Sequence, residues 1–363
     1  MLDPFPLPSP GPLQRLTQPL AHLLSLPTLP LHIHEVLFAV LLYHLVNTRF
    51  SPWISHKFFP RTYSSLNART RINWDVHVVS MVQSLLINTL ALWVIWTDDE
   101  RGAMSTTGRI YGYTGACGLV QAFATGYFLW DFILCALHID VFGFGLLAHA
   151  VSALLVFSLG FRPFLNYYGP VFILYELSTP FLNLHWFFDK LEMTGSTPQL
   201  YNGMLLIGTF FGARLCWGTA NSVRVFWDIW RVVRRPEFAV PEALGLEREA
   251  GLLKEPVDAV GEVMRFAVGN EVPLWLTVSY LASNFVLNSL NIWWFGKMID
   301  TVRKRFDPPL GTKGVEGKKK KSKGDGSASE ANGAATSGRE LDVDERRNVE
   351  VEGAEIRSRR RVI

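Results

Sequence analysis

Cysteine is scarce in this chain of 363 residues: Cys117, Cys135 and Cys216 are the only three. Each lies in an apolar block and no C-x-x-C pair exists, so a disulfide framework is not expected and the three read as small buried hydrophobes. Net charge is also sparse, at +3, which leaves no basic field to hold nucleic acid. There is no H-E-x-x-H and no set of H-x-x-x-H or H-x-x-H-H boxes such as a membrane di-iron site needs, so no metal is expected. His32 and His34, two residues apart, diverge on a helix and are not expected to ligate together. A Walker A loop, a G-x-G-x-x-G turn after a strand and a G-x-S-x-G elbow are missing as well, and no cofactor is expected. The opening MLDPFPLPSPGPLQRL has an acid and prolines where a cleaved signal would carry basic residues and then an apolar run. Targeting is expected to fall to the first span itself.

What the chain does have is long apolar blocks. Mean hydropathy is +0.17 and 49% of residues are hydrophobic, unevenly distributed: the blocks are separated by short polar loops, and the last sixty or so residues are highly charged. Each block is long enough to cross about 30 Å of hydrocarbon at 1.5 Å per residue. The expectation is an all-α polytopic membrane protein with about seven spans, near 32–48, 75–97, 110–136, 143–161, 164–188, 202–232 and 272–299. The first is interrupted by His32, His34, Glu35 and His44, and the fifth contains Pro170 and Pro180. Tryptophans and tyrosines near block ends, from Trp74, Trp93 and Trp96 through Tyr111, Tyr113, Tyr167, Tyr168 and Trp186 to Trp227, Trp230, Trp293 and Trp294, read as an interfacial belt.

Sidedness follows from Lys and Arg in the flanks. Arg49, Lys57, Arg61, Arg69 and Arg71 crowd the first loop, whereas Asp98, Asp99 and Glu100 mark the next. Lys297, Arg303, Lys304 and Arg305 follow the last block, and then a run from Lys318 to Lys321. Seven spans put the basic loop and the carboxy-terminal tail together on the cytosolic side; Arg231, Arg234 and Arg235 in the charged loop at about 233–271 are the one discordant group. The organisation expected is a Pro-rich segment over 1–31, a first span and basic loop over 32–68, a helical domain over 69–302 and a disordered tail over 303–363. The tail lysines are able to touch anionic lipid heads, at about 1 kcal/mol each close to the surface.

The polar residues inside the blocks are the most informative feature. His77, Ser80, Ser84 and Asn88 recur on one face of the second span. Tyr127 and Asp131, and Gln121 with Thr125, pair on the third; His149 and Ser152 share a face of the fourth. Glu176, Thr179 and Asn183 line the fifth, Arg214, Gly218 and Asn221 the sixth, and Asn284, Asn288 and Asn291 the seventh. Lipid does not solvate such stripes, so they must converge on one another or on a cavity. As glue between helices, single hydrogen bonds contribute on the order of 0.6 kcal/mol. Asp131, Glu176, His149 and Arg214 ask for more, because a central Asp or Arg costs about 2.5 to 3.5 kcal/mol to insert. Either Arg214 pairs with Asp131 or Glu176, or the group faces a watery or substrate-filled chamber. Gly112, Gly115 and Gly118, and Gly208 with Gly212 at G-x-x-x-G spacing, permit close helix approach.

Four segments in order, NWDVHVVSMVQSLL (73–86), GYFLWDFIL (126–134), AHAVSALLVFSLG (148–160) and YELSTPFLNLHWFF (175–188), resemble landmarks of the TLC-domain family. That family includes the ceramide synthases, translocation-associated membrane proteins and small transmembrane proteins of lipid homeostasis, the last being the most similar. The resemblance covers about 69–302 and implies a barrel-like bundle of six TLC helices after one preceding helix, in the endoplasmic reticulum or a related membrane. In ceramide synthases the bundle encloses a tunnel where an acyl group passes from acyl-coenzyme A to a long-chain base. Their paired histidines correspond here to Ala148–His149, and their aspartates to the stretch Glu176–Leu177–Ser178–Thr179–Pro180.

The leading expectation is therefore a TLC-domain protein that binds, senses or moves membrane lipids, sphingolipids or fatty acyl chains among them. His77, Ser80, Asn88, Tyr127, Thr179, Asn183, Arg214, Asn284 and Asn288 would line its lipid cavity. A second expectation is an acyl-coenzyme A-dependent acyltransferase with His149 as acyl acceptor or base and Glu176 or Asp131 tuning it. A seven-helix receptor or transporter ranks third, since no inverted repeat, DRY or N-P-x-x-Y sequence is present.

Overall fold

The computed structural model describes residues 1–234, 263–267 and 274–306. Most of the charged loop expected at about 233–271 and all of the tail from residue 307, its lysine run included, lie outside the described residues. The chain divides into two compact units, Met1–Phe295 and Gly296–Ile363. The polar clusters below all belong to the first.

Every regular element among the described residues is helical. A short α1 (Gly11–Leu24) lies within the Pro-rich segment. The first span starts with α2 (Leu29–Leu45), passes through a π-helical turn (Val46–Phe50) and ends in α3 (Ser51–Phe58). After α4 (Pro60–Ser65) comes α5 (Ala68–Thr97), whose start is capped by Asn67 accepting from the Thr70 amide at 2.8 Å. Two short helices, α6 (Asp99–Gly102) and α7 (Thr106–Tyr111), lead into α8 (Gly115–Leu137), capped in the same way by Thr114. The ninth helix, α9 (Ile139–Leu159), is kinked at Gly143, where φ is +75°, a value glycine adopts without strain.

Length and apolarity alone mark four spans among the described residues: Leu29–Phe58, Ala68–Thr97, Thr106–Leu137 and Ile139–Leu159. The three later blocks are helical but fall outside that measure, each in its own way. The fifth is segmented into a 3-10 turn (Asn166–Tyr168), α10 (Gly169–Ile173), a second 3-10 turn (Leu174–Ser178) and α11 (Thr179–Lys190). Pro170 and Pro180 sit in the first turns of α10 and α11. Proline suits a helix start and opposes a helix interior, so each restarts the backbone. The sixth runs α12 (Thr197–Thr209), a π-helical stretch (Phe210–Trp217) and α13 (Gly218–Arg234), and carries Arg214, Arg224 and Asp228. The last, α14 (Leu274–Phe306), is diluted by three asparagines.

The molecule is apolar outside and polar within. Leu37, Leu41, Leu85, Trp96, Phe144, Phe211 and Phe285 are exposed, while Glu35, Gln83, Gln121, Glu176, Asn183, Arg214 and Asn291 are buried. In water that distribution is unfavourable; against lipid tails it leaves these costly groups inside. Three sequence expectations change. Trp74 and Tyr168 are wholly buried, and Tyr111 and Tyr113 nearly so. They are therefore core residues, not part of an interfacial belt; the Trp74 indole N–H donates to Ser55 Oγ at 2.8 Å. Cys216 is exposed, unlike Cys117 and Cys135, because it lies two positions from Arg214, which faces inward. Gly208 and Gly212 make no close approach among the described residues, whereas on α8 a Cβ at Gly118 would strike the His32 ring and one at Gly126 would lie 2.6 Å from Ala39 Cβ.

Candidate functional site

The centre of the bundle is built around Arg214. The π-helical stretch presents its guanidinium to the second 3-10 turn and the start of α11, where three of its N–H groups find acceptors. Nε donates to Ser178 Oγ, one terminal nitrogen to Thr179 Oγ1 and the other to Asn291 Oδ1, each at 3.1 Å. Glu176 Oε1 is 3.7 Å from the guanidinium, and Glu176 Oε2 accepts from Thr179 Oγ1 at 2.7 Å. Phe210, a helical turn earlier, lies under the cation at 5.0 Å. Of the two carboxylates open to Arg214 from the sequence, the structure selects Glu176. The 3-10 geometry lets Glu176, Ser178 and Thr179 all reach one guanidinium, which a straight α-helix would not.

His149 on α9 packs against Trp294, one turn of α14 beyond the Asn291 that bonds Arg214. Its ring is edge-on to Phe128 at 6.1 Å and to Trp294 at 5.6 Å, and its Nδ1 is buried without a hydrogen-bond partner. The carboxylate pairing expected for a tuned base is thus not formed: Asp131 faces Cys135, with Sγ 3.8 Å from Oδ1, and Glu176 is engaged by Thr179 and Arg214.

A second polar cluster joins α5 to α11. His77 Nδ1 is 2.7 Å from Asn183 Oδ1, Asn183 donates its amide to Ser80 Oγ at 3.0 Å, and the His77 ring stacks on Trp186 at 4.2 Å. Tyr127 lies against Tyr43, their ring centres 5.3 Å apart. Ser84 and Asn88, placed on the same stripe by sequence, bond back into their own helix, to Met81 O and Ser84 O; Asn88 Oδ1 and both amide atoms of the neighbouring Gln83 are buried without partners. On α14, Asn288 donates to Asn284 Oδ1 at 2.8 Å and to Ser222 Oγ at 3.3 Å, while Asn291 belongs to the Arg214 knot.

The sequence reading missed a third cluster. Arg109 on α7 grips Asp228 on α13 with two parallel hydrogen bonds of 2.7 and 3.0 Å, and the Tyr168 hydroxyl donates to the same carboxylate at 2.6 Å. The bidentate fork is the strong form of this pairing. A signal existed: Asp228 continues the Arg214, Gly218, Asn221 face by one heptad.

With this geometry established, comparison places the chain in a family. Residues 73–300 match the TLC domain, and the protein belongs to the TLC-domain family. It is 33% identical over 293 residues to an uncharacterized TLC domain-containing protein of Schizosaccharomyces pombe, covering 81% of this chain and 86% of that one. It is 27% identical to topoisomerase I damage affected protein 4 of Saccharomyces cerevisiae, over 76% of this chain and 86% of that one. It is also 30% identical to TLC domain-containing protein 4 of Homo sapiens, over 46% of this chain and 62% of that one.

Proposed function

We propose that this membrane TLC-domain protein binds lipids within its helical bundle and acts in lipid homeostasis, in the endoplasmic reticulum with its tail cytosolic. The observation carrying this reading is the Arg214–Glu176 knot together with an unpaired His149 nitrogen, which packs on Trp294 one turn of α14 beyond Asn291. Here three hydrogen bonds engage a guanidinium that has five N–H groups, and the His149 imidazole keeps a ring nitrogen without a hydrogen-bond partner. A lipid headgroup or carbonyl supplies the acceptors and donors that such a locus lacks, while its tail takes the place of a neighbouring lipid chain. The test is lipid analysis of the protein purified in mild detergent. A defined lipid class should co-purify with the native chain and be depleted in His149→Ala and Arg214→Gln. An identical lipid profile in all three would sink the proposal.

A second reading, acyl transfer from acyl-coenzyme A with His149 as acceptor or base, is favoured by the same free Nδ1 and weakened by the lack of a carboxylate bonded to that ring. It is separable: turnover of acyl-coenzyme A by purified protein, lost in His149→Ala with folding intact, would supersede the binding reading.

A further inference from the structure

The segment before α2 folds back over that helix's first turn. Ser9 Oγ donates to Pro30 O at 2.8 Å, His34 Nε2 meets Leu7 O at 2.8 Å, and the Gly115 amide donates to Met1 O at 3.0 Å. This strap delivers Asp3 to the helix start. The Phe5 amide holds Asp3 Oδ1 at 2.9 Å, leaving Oδ2 turned toward His32 Nδ1 at 3.6 Å. Glu35, one turn beyond His32 on the same face, puts Oε2 at 2.9 Å from that same nitrogen. Two glycines of α8 make the room: a Cβ at Gly115 would strike the Asp3 backbone, and one at Gly118 the His32 ring.

One donor atom from each of Asp3, His32 and Glu35 lies within 4.8 Å of the others, and His32 and Glu35 are wholly buried. Two carboxylates this close repel when ionised. Glu35 Oε1 is, in addition, buried without a hydrogen-bond partner, His34 Nε2 standing off at 3.6 Å. Ionised, Glu35 would leave a buried anionic oxygen with no donor, and a cation among the three groups removes both problems.

We propose that Asp3, His32 and Glu35 form a divalent-cation site of the zinc class. One imidazole nitrogen and two carboxylate oxygens suit zinc among the biological divalent ions. Ligands bound to a tetrahedral zinc at about 2.1 Å are roughly 3.4 Å apart, and the 2.9 and 3.6 Å separations at His32 Nδ1 bracket that spacing. The other ring nitrogen, Nε2, hydrogen-bonds the Tyr113 hydroxyl at 2.5 Å. With Nε2–H donating to Tyr113, the Nδ1 lone pair faces the carboxylates, the arrangement a ligating imidazole needs. A cavity of about 390 Å³ lined by Asp3, Tyr113, Glu100 and Arg265 opens on the Asp3 side, giving the ion an entry and water a place in the remaining coordination. Two carboxylates balance one dication, and on the cavity wall Glu100 is paired with the Met1 ammonium. In this site the partners of His32 come from one turn along its own helix and from the strap.

The full chain, purified in detergent and stripped with a chelator, should take up one equivalent of zinc by elemental analysis. Cobalt in its place should give the visible bands of a four-coordinate site. Asp3→Asn and Glu35→Gln should lose stoichiometric uptake, Tyr113→Phe should bind roughly 10- to 100-fold more weakly, and His149→Ala should bind as the native chain does. Asp3 is about one-third exposed on the strap (32%), so Asp3→Asn leaves the helix core intact and stays readable if a core variant fails to fold. No stoichiometric zinc in the native chain, or unchanged uptake in Asp3→Asn and Glu35→Gln, overturns the site.

Discussion

At the scale of single residues, Arg214 determines how the bundle centre is assembled. Its charge is buried with the one carboxylate it contacts, and removal of either partner strands the other. Arg214→Met should destabilise the protein by about 3–5 kcal/mol in detergent unfolding. The double variant Arg214→Met, Glu176→Leu should recover most of that loss. Equal stabilities for the single and double variants would show that the two charges are not coupled. Tyr168→Phe, which removes a donor to the buried Asp228 carboxylate, should cost about 1.5–3 kcal/mol. The Arg214 pairing was half legible from sequence. A buried arginine demanded a counter-charge, but choosing Glu176 over Asp131 required the 3-10 turn, which periodicity does not reveal.

At the scale of elements, helix contacts depend on where small residues meet backbone. Gly126 on α8 faces Val36 O and Ala39 Cβ on α2 at 2.7 and 2.6 Å from an added Cβ, whereas nothing described lies near Gly208. Gly126→Ala should therefore cost about 1–3 kcal/mol through overpacking. Gly208→Ala should be neutral or stabilise by about 0.5–1 kcal/mol through helix propensity. The thermal midpoints of the two variants check the contrast; a loss at Gly208 as large as that at Gly126 would contradict it. Spacing marked Gly118, which meets α2, together with Gly208 and Gly212, which meet nothing described, because G-x-x-x-G describes one helix and says nothing of what stands opposite. Pro170 and Pro180 show the converse. Their positions were visible, and the helix restarts they cause follow from the missing N–H and the fixed φ.

For the whole molecule, the basic first loop and the acidic turn at Asp98–Glu100 give a prediction of sidedness. Glycosylation acceptors inserted near residue 100 should be modified in microsomes, and acceptors inserted near residue 60 should not. The reverse pattern would invert the orientation. Large apolar side chains such as Leu41, Trp96, Phe144 and Phe285 form the outer face, as a lipid-embedded surface requires.

Hydropathy and the inward-facing stripes determined by themselves that this is an all-α membrane protein with polar residues in its interior, because hydrocarbon penalises ionised and amide groups whatever the fold around them. The same reasoning put Glu176, Thr179, Asn183 and Arg214 on inward faces. Tertiary structure alone decided the partners: Glu176 for Arg214, Asn183 for His77, Asp228 for Arg109, and Asp3 with Glu35 around His32. Each pair except His32 and Glu35 joins separate elements, and contact across them depends on kinks, π and 3-10 turns and the depth at which helices meet. A one-dimensional period carries none of that information.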